Sequence, residues 1–194
     1  MIVMLIFLHP RFLNSMHGNK SEVADGTKII AMSLYGADPK YTWGVIRNAQ
    51  LTPIYFPSWR LRVYIPYPTG SSTAGRGDPS LVVPDRIVKK LKQLGADVVR
   101  VRIPVSEIPP RYWRYLVTDD VSVNYFFIRD ADSRLSEHDA VVTEDWLQSY
   151  TGGGGEGGGG GTKGAKRNSG IEISVHPSST SVYEKLTQTV FHNN

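Results

Sequence analysis

The stretch Val121–Asp132, VSVNYFFIRDAD, decides the fold that this sequence predicts. Residues 121–128 form the most hydrophobic strand candidate in the chain, and the polar segment Arg129–Asp132 follows directly. A short apolar run of this length, bounded by polar residues, is typical of a buried strand. The stretch therefore predicts a strand in the interior of a sheet, with two aspartates, one residue apart, just beyond its end.

Other strand and helix patterns alternate around this stretch. Strands are predicted at 28–34, 59–66, 96–103 and 121–128, and helices at 38–55, 84–94, 111–118 and 136–147. Pro53 should kink or end the first helix near Leu51, because proline lacks the N–H that a helix interior uses. Strands that alternate with helices favour a parallel sheet with both faces covered. We therefore expect an α/β fold, Rossmann-like, with three α/β/α layers and a mostly parallel sheet.

The carboxyl ends of parallel strands are where ligands gather in open α/β sheets. Asp130 and Asp132 follow the predicted fourth strand, and their carboxylates are the ligands that Mg²⁺ or Mn²⁺ prefers. An Asp-x-Asp pattern also occurs by chance, and an acidic turn after a strand can be no more than a solvated cap. Both interpretations stay open on the sequence alone.

Four segments together resemble a poorly characterised family of glycosyltransferase-like proteins. They are KIIAMSLYGADPKYTWGVIRNAQ (28–50), VVPDRIVKKLKQLGADVVRV (82–101), RYWRYLVTDD (111–120) and YFFIRDADSRLSEHDAVVTEDWLQS (125–149), and they cover roughly residues 27–149. The resemblance implies a nucleotide-diphospho-sugar transferase fold of the GT-A type, with Asp130 and Asp132 in the position of the family's metal-binding pair. It implies a nucleotide-sugar donor and Mn²⁺ or Mg²⁺ as cofactor, and it leaves the acceptor, the catalytic base and the linkage unknown.

Several other residues are candidates for contact with the nucleotide-sugar. Arg114 and Arg129 have planar guanidinium groups, which can donate two hydrogen bonds to phosphate oxygens. For Arg114, a charge on the helix surface is an equally good interpretation. Ser33 and Tyr35, at the end of the first predicted strand, are candidates for the base or ribose, with ordinary strand residues as the alternative interpretation. Ala131 separates the two aspartates. Arg134 is a candidate partner for Asp132 or Glu137 instead of a ligand, and His138 is expected to lie on the surface. The remaining prominent side chains are expected in the core: Trp43, Trp113 and Trp146.

The chain divides into three regions. Residues 1–26 are expected to be a disordered leader outside the fold, with a weak signal-like apolar start, and residues 27–150 the α/β domain. Residues 151–194 are expected to be a glycine-rich linker and a disordered tail, because residues 152–161 are glycine except for Glu156 and such a run is too flexible to fold by itself. In the resembled family another strand and a glycine-tryptophan-rich loop follow residue 149. We therefore expect this chain to hold the N-terminal half of such a domain.

Composition limits the remaining classes of function. The chain has no cysteine, which excludes a disulfide scaffold or zinc-thiolate site. The net charge of +4 is modest, and the chain has no dense basic run of the kind that predicts nucleic-acid binding. Residues 2–8 are too few to span a bilayer, so no transmembrane segment is expected, and the compartment, cytoplasmic or secretory-pathway lumen, stays open.

Two classes of function remain. The first is a metal-dependent glycosyltransferase-like domain. The second is a catalytically inactive family member that binds a nucleotide weakly or contacts a protein partner. The oligomeric state is not predicted.

Overall fold

The computed structural model describes residues 5–8, 27–67 and 79–151. In chain order the elements are β1 (Leu5–Leu8), β2 (Lys28–Ser33), α1 (Pro39–Tyr55), β3 (Arg60–Pro66), a short 3₁₀ turn (Pro79–Leu81), α2 (Asp85–Gln93), β4 (Asp97–Val101), a ten-residue 3₁₀ helix (Pro110–Asp119), β5 (Tyr125–Ile128) and α3 (Glu137–Thr151). The glycine-rich linker and tail predicted after residue 151 lie outside the described residues, as does most of the predicted leader.

The five strands form one sheet in the order β1-β5-β2-β3-β4. The neighbours from β5 to β4 pair in parallel, which confirms the predicted Rossmann-like α/β arrangement. β1 was not predicted. It pairs antiparallel with the outer edge of β5, with Leu5 opposite Ile128, so four residues of the expected leader belong to the sheet. A four-residue strand has little signal of its own, and its assignment depends on a partner far along the chain.

The two faces of the sheet are covered by different layers. Alternate residues of β2 separate cleanly, since Ile30 and Met32 pack with the α-helices while Ile29 and Ala31 pack under the 3₁₀ helix. Strand side chains point to opposite faces in turn, and continuous apolar runs are typical of strands buried on both sides. The 3₁₀ helix contributes Trp113 and Val117 to its layer.

The chain reverses its direction of travel across the sheet at β2. From β2 it proceeds through β3 to β4, and it then returns to place β5 on the other side of β2. The helices between β2 and β4 cover one face, while the connection from β4 to β5 covers the other. Such a reversal opens a crevice between the carboxyl ends of the two strands concerned, here β2 and β5.

Three element predictions differ from the structure in detail. α1 continues to Tyr55 through Pro53, because this exposed proline lies in the last turn, where few helical hydrogen bonds remain to be lost. The aromatic segment 111–118 is a 3₁₀ helix and not an α-helix. β5 begins at Tyr125 and not at 121, because Asp120 accepts from the Ser122 N–H and hydroxyl and bends the chain into a turn.

No helix among the described residues combines the length and the apolar character that crossing a bilayer requires.

A charged network ties the β3–β4 side of the sheet to the end of the 3₁₀ helix. The Arg62 guanidinium, 13% exposed, donates to Asp97 on β4 and to Asp120, each at 2.6 Å. Burial by itself raises the pKa of the Asp120 carboxyl, but hydrogen bonds from Ser122 and Arg62 lower it below its ordinary 3.8. A carboxyl whose pKa is depressed on folding stabilises the protein above its ordinary pKa, and this stabilisation is lost as the pH falls through the lower folded value.

We expect Asp120→Asn to lower the free energy of unfolding at pH 7 by about 1–2 kcal/mol, because Arg62 is left with one carboxylate partner. The difference from wild type should shrink as the pH falls below 3.8. Urea unfolding at pH 7 and at pH 3 measures both quantities. A difference that is equal at the two pH values would contradict the assigned pKa direction.

Candidate functional site

The crevice between the carboxyl ends of β2 and β5 is a cleft of about 280 Å³. Nine residues line it: Ser33, Leu34, Tyr35, Tyr41, Arg111, Arg114, Asp130, Ala131 and Asp132. Six of them were predicted from the sequence as site residues, and the structure brings these six together. Tyr35, Tyr41 and Arg111 are exposed at its rim.

The acidic turn is a direct continuation of β5. The Arg129 N–H donates to the Ala31 carbonyl on β2 at 3.0 Å, and the Ser133 N–H then turns back to the Asp130 carbonyl at 3.1 Å. The side chain of Asp130 is 60% exposed and that of Asp132 27%. Both carboxylates therefore reach solvent at the cleft while their backbone is fixed to the sheet.

Each carboxylate is paired with a basic side chain from a different element. The Arg114 guanidinium, on the 3₁₀ helix, forms an ion pair with Asp130. The Lys40 ammonium, at the start of α1, lies 2.8 Å from Asp132, and this hydrogen bond and charge raise the pKa of Lys40. A metal ion or a phosphate that entered the cleft would compete for one member of each pair.

The basic wall of the cleft follows from the geometry of the 3₁₀ helix. With three residues per turn, side chains at i and i+3 are eclipsed, so Arg111 and Arg114 project from the same side. Ser33 fixes this helix against β2, because its hydroxyl accepts from the Arg114 N–H at 2.8 Å. Ser33 therefore positions the backbone of Arg114. The Nε group of this arginine is buried and has no hydrogen-bond partner among the described residues.

Arg129 does not enter the cleft, contrary to the prediction. It continues the alternation of β5 on the side of Phe127, so its side chain points into the layer of α-helices. There it is 3% exposed, donates to the Arg134 carbonyl at 2.7 Å and forms an ion pair with Asp139 at 2.9 Å. Its charge is thus engaged in holding the loop 129–136 to α3.

One further side-chain prediction was wrong, and others are confirmed. Trp43 is 66% exposed and not in the core, because α1 turns Val45, Ile46 and Ala49 inward instead. The Asp132 carboxylate pairs with Lys40, and Arg134 is exposed beyond it. The remaining tryptophan and histidine predictions hold, with Trp113 buried, Trp146 packed against the core and His138 on the surface.

Sequence reasoning missed Asn48, the residue that holds the acidic loop in place. Its fully buried carboxamide donates to the carbonyls of Ala131 at 3.2 Å and Ser133 at 3.0 Å, and accepts from the Leu135 N–H at 2.9 Å. Buried polar groups need such partners. The available signal was an amide on the inward face of a predicted helix, beside Ala49.

Gly44 was missed as well. It lies on α1 where the helix meets the acidic turn, and a Cβ added there would lie 2.5 Å from the Ala131 carbonyl oxygen. Only a residue without a side chain permits this approach. The sequence places glycine inside a helix, and a close backbone contact is one reason for such a choice.

The two carboxylates satisfy part of what a hard divalent cation requires. Mg²⁺ is commonly held in proteins by one or two carboxylates together with substrate phosphates and water. Within the described ranges, no group of three or more His, Cys, Asp or Glu side chains is arranged to hold a metal ion. Among the described residues, Asp130 and Asp132 would therefore supply only part of a cation's coordination, and a phosphate-bearing ligand would have to complete it.

Comparison with known protein families, curated proteins and solved structures finds no match to this chain. The glycosyltransferase family, the metal cofactor and the nucleotide-sugar donor accordingly stay predictions.

We expect Gly44→Ala to displace the acidic turn. Alanine favours a helix interior by about 1 kcal/mol over glycine, but the added methyl group forces the Ala131 carbonyl to move, at a cost of about 1–3 kcal/mol. The backbone amide chemical shifts of residues 130–135 should change, and the free energy of unfolding should not rise. Ile54→Ala, at a residue of α1 that is 65% exposed, is the matched control and should leave those shifts unchanged. A Gly44→Ala protein with wild-type shifts would refute the close contact.

Proposed function

We propose that the cleft binds the diphosphate of a nucleotide-sugar together with Mn²⁺ or Mg²⁺, and that the protein acts as a glycosyltransferase-like domain. One observation carries the proposal. Two carboxylates from the end of β5 and two arginines from the 3₁₀ helix line the same crevice at the point where the strand order reverses. This is the part of an open α/β sheet in which nucleotides bind.

The charges in the cleft suit a diphosphate bound with a cation. Arg111 and Arg114 line one wall of the cleft, and arginine donates to phosphate oxygens in a bidentate manner. Arg114 would exchange its ion pair with Asp130 for the phosphate. Asp130 and Asp132 on the other wall would hold the metal ion. A bound Mn²⁺ or Mg²⁺ supplies positive charge that neutralises the diphosphate as it leaves the sugar.

The aromatic residues at the entrance suit the base of the nucleotide. Tyr35 and Tyr41 line the cleft, and each residue is 38% exposed. The Lys40 ammonium lies over the Tyr41 ring, 5.1 Å from its centroid, so Tyr35 is the better stacking partner of the two. Stacking of a base on an aromatic ring contributes about 1–3 kcal/mol. In the proposed reaction an acceptor hydroxyl attacks the anomeric carbon, the bond from that carbon to the diphosphate oxygen breaks, and the hydroxyl proton passes to a base that the described residues do not identify.

A second candidate function is nucleotide binding without transfer. The observation that favours it is the pairing of both carboxylates with Arg114 and Lys40, which leaves no carboxylate of the cleft free to act as a base. The two candidates predict the same binding and differ in turnover. Release of free sugar or of a glycosylated product from a bound nucleotide-sugar distinguishes them.

The direct test is calorimetry of the full chain with Mn²⁺ and a panel of uridine and guanosine diphosphate sugars. We expect at least one of them to bind in a manner that requires Mn²⁺, and Asp132→Asn to weaken that binding at least tenfold, because a carboxylate ligand is lost. Asp145→Asn, at an exposed aspartate of α3, is the matched control. If no compound binds wild type, or if Asp132→Asn binds as tightly as the control, the proposed function is wrong.

The ion pairs also predict that metal and nucleotide bind cooperatively. A diphosphate that takes Arg114 releases Asp130 for the metal ion, so each ligand should raise the affinity for the other, by a factor in the usual range of about 5–150. Arg114→Met should raise the affinity for Mn²⁺ alone and reduce the coupling, as measured by Mn²⁺ titration with and without uridine diphosphate. Arg111→Met, which lines the same cleft without an ion pair to Asp130, should weaken nucleotide binding and leave the affinity for Mn²⁺ alone unchanged. Independent binding of the two ligands to wild type would exclude this coupling.

A further inference from the structure

A second concavity lies on the other side of Asp132. It is a groove of about 470 Å³ between α1 and the loop 132–134, and we call it the α1 groove. Its lining includes Trp43, Arg47 and Gln50 from successive turns of α1, and Asp132 and Arg134 from the loop. Asp132 also lines the cleft between β2 and β5, so the two concavities meet at this residue.

The side of the α1 groove formed by the helix presents a large aromatic ring to solvent. Trp43 is 66% exposed, whereas Trp59 and Trp113 are buried. Among the described residues, its indole takes part in no aromatic pair and no hydrogen bond. An exposed indole combines a wide apolar face with an N–H donor. This combination suits a sugar ring, whose C–H face packs on the indole while its hydroxyls accept hydrogen bonds.

The α1 groove has an excess of positive charge, which favours a ligand that is negatively charged. Three basic residues, Lys40, Arg47 and Arg134, line it against the one carboxylate of Asp132. Lys40 already neutralises that carboxylate. Arg47 donates one long hydrogen bond, 3.3 Å, to Gln50, and the Arg134 side chain is exposed. Two guanidinium groups therefore remain for an anionic ligand, and arginine pairs with carboxylate or sulfate groups through two parallel donors.

We propose that the α1 groove binds an acidic saccharide, with one sugar ring packed on Trp43 and its carboxylate or sulfate groups held by Arg47 and Arg134. The saccharide extends along α1 away from Asp132. Its assignment as the acceptor rests on the function proposed above, since a donor in the cleft would present its diphosphate and sugar at the residue that the two concavities share. Binding of the saccharide itself does not depend on that function.

The test is calorimetry of the full chain with an oligosaccharide of galacturonic acid and with a neutral glucose oligosaccharide of equal length, in the absence of any nucleotide. We expect the acidic compound to bind at least tenfold more tightly than the neutral one and to lose affinity at higher salt. Trp43→Ala should weaken its binding at least tenfold, and Arg47→Gln and Arg134→Gln several-fold each. Retention of most of the affinity in Trp43→Phe separates packing on the ring from a general loss of structure.

The matched control is Val141→Ala, which changes an exposed apolar residue of α3 outside the α1 groove and should bind like wild type. The proposal is overturned if neither compound binds, if both bind equally, or if Trp43→Ala binds as tightly as the control. Failure of the proposed function has a different result, in which the acidic oligosaccharide binds but no nucleotide-sugar does.

Discussion

The carboxamide of Asn48 is fully buried between α1 and the loop that follows β5. A buried amide without partners costs several kcal/mol, and this one finds three of them in the loop 131–135 and a weaker one in the Met32 sulfur at 3.6 Å. The requirement acts in both directions. The carbonyls of Ala131 and Ser133 are held by the amide, so the loop and α1 fix each other. The position of both aspartates in the cleft depends on this contact.

A second set of bonds holds the other half of the same loop. Arg129 links the end of β5 to Asp139, and Asp139 in turn accepts from the N–H and hydroxyl of Ser136 at the start of α3. Such reciprocal capping satisfies donors that a helix start would otherwise leave free. Between these bonds and Asn48, the segment from Arg129 to Ser136 has few ways to move. The paired carboxylates are therefore presented by a rigid support, as a site that must accept a ligand in one orientation requires.

The features of this structure that the sequence predicted are those that depend on patterns among residues close together in the chain. The apolar run before Asp130 and the alternation of strands with helices both depend on near neighbours. The errors concern the direction in which particular side chains point. Helical spacing groups Trp43 with the core, but nothing local distinguishes an indole at the edge of the apolar stripe from one inside it. Arg129 could have been placed by extending the alternation of β5 by one residue, whereas the roles of Asn48 and Gly44 depend on a loop more than 80 residues away.

The pairing of β1 with β5 has a consequence for how the chain is made. Leu5 emerges from the ribosome long before Ile128, its partner in the sheet, has been added. Contacts between such distant residues form late, since a long loop must close before any stabilisation is gained. Throughout synthesis the apolar residues at the start of the chain therefore lack their strand partner. During that interval the outer edge of β5 also lacks the strand that covers it in the folded sheet.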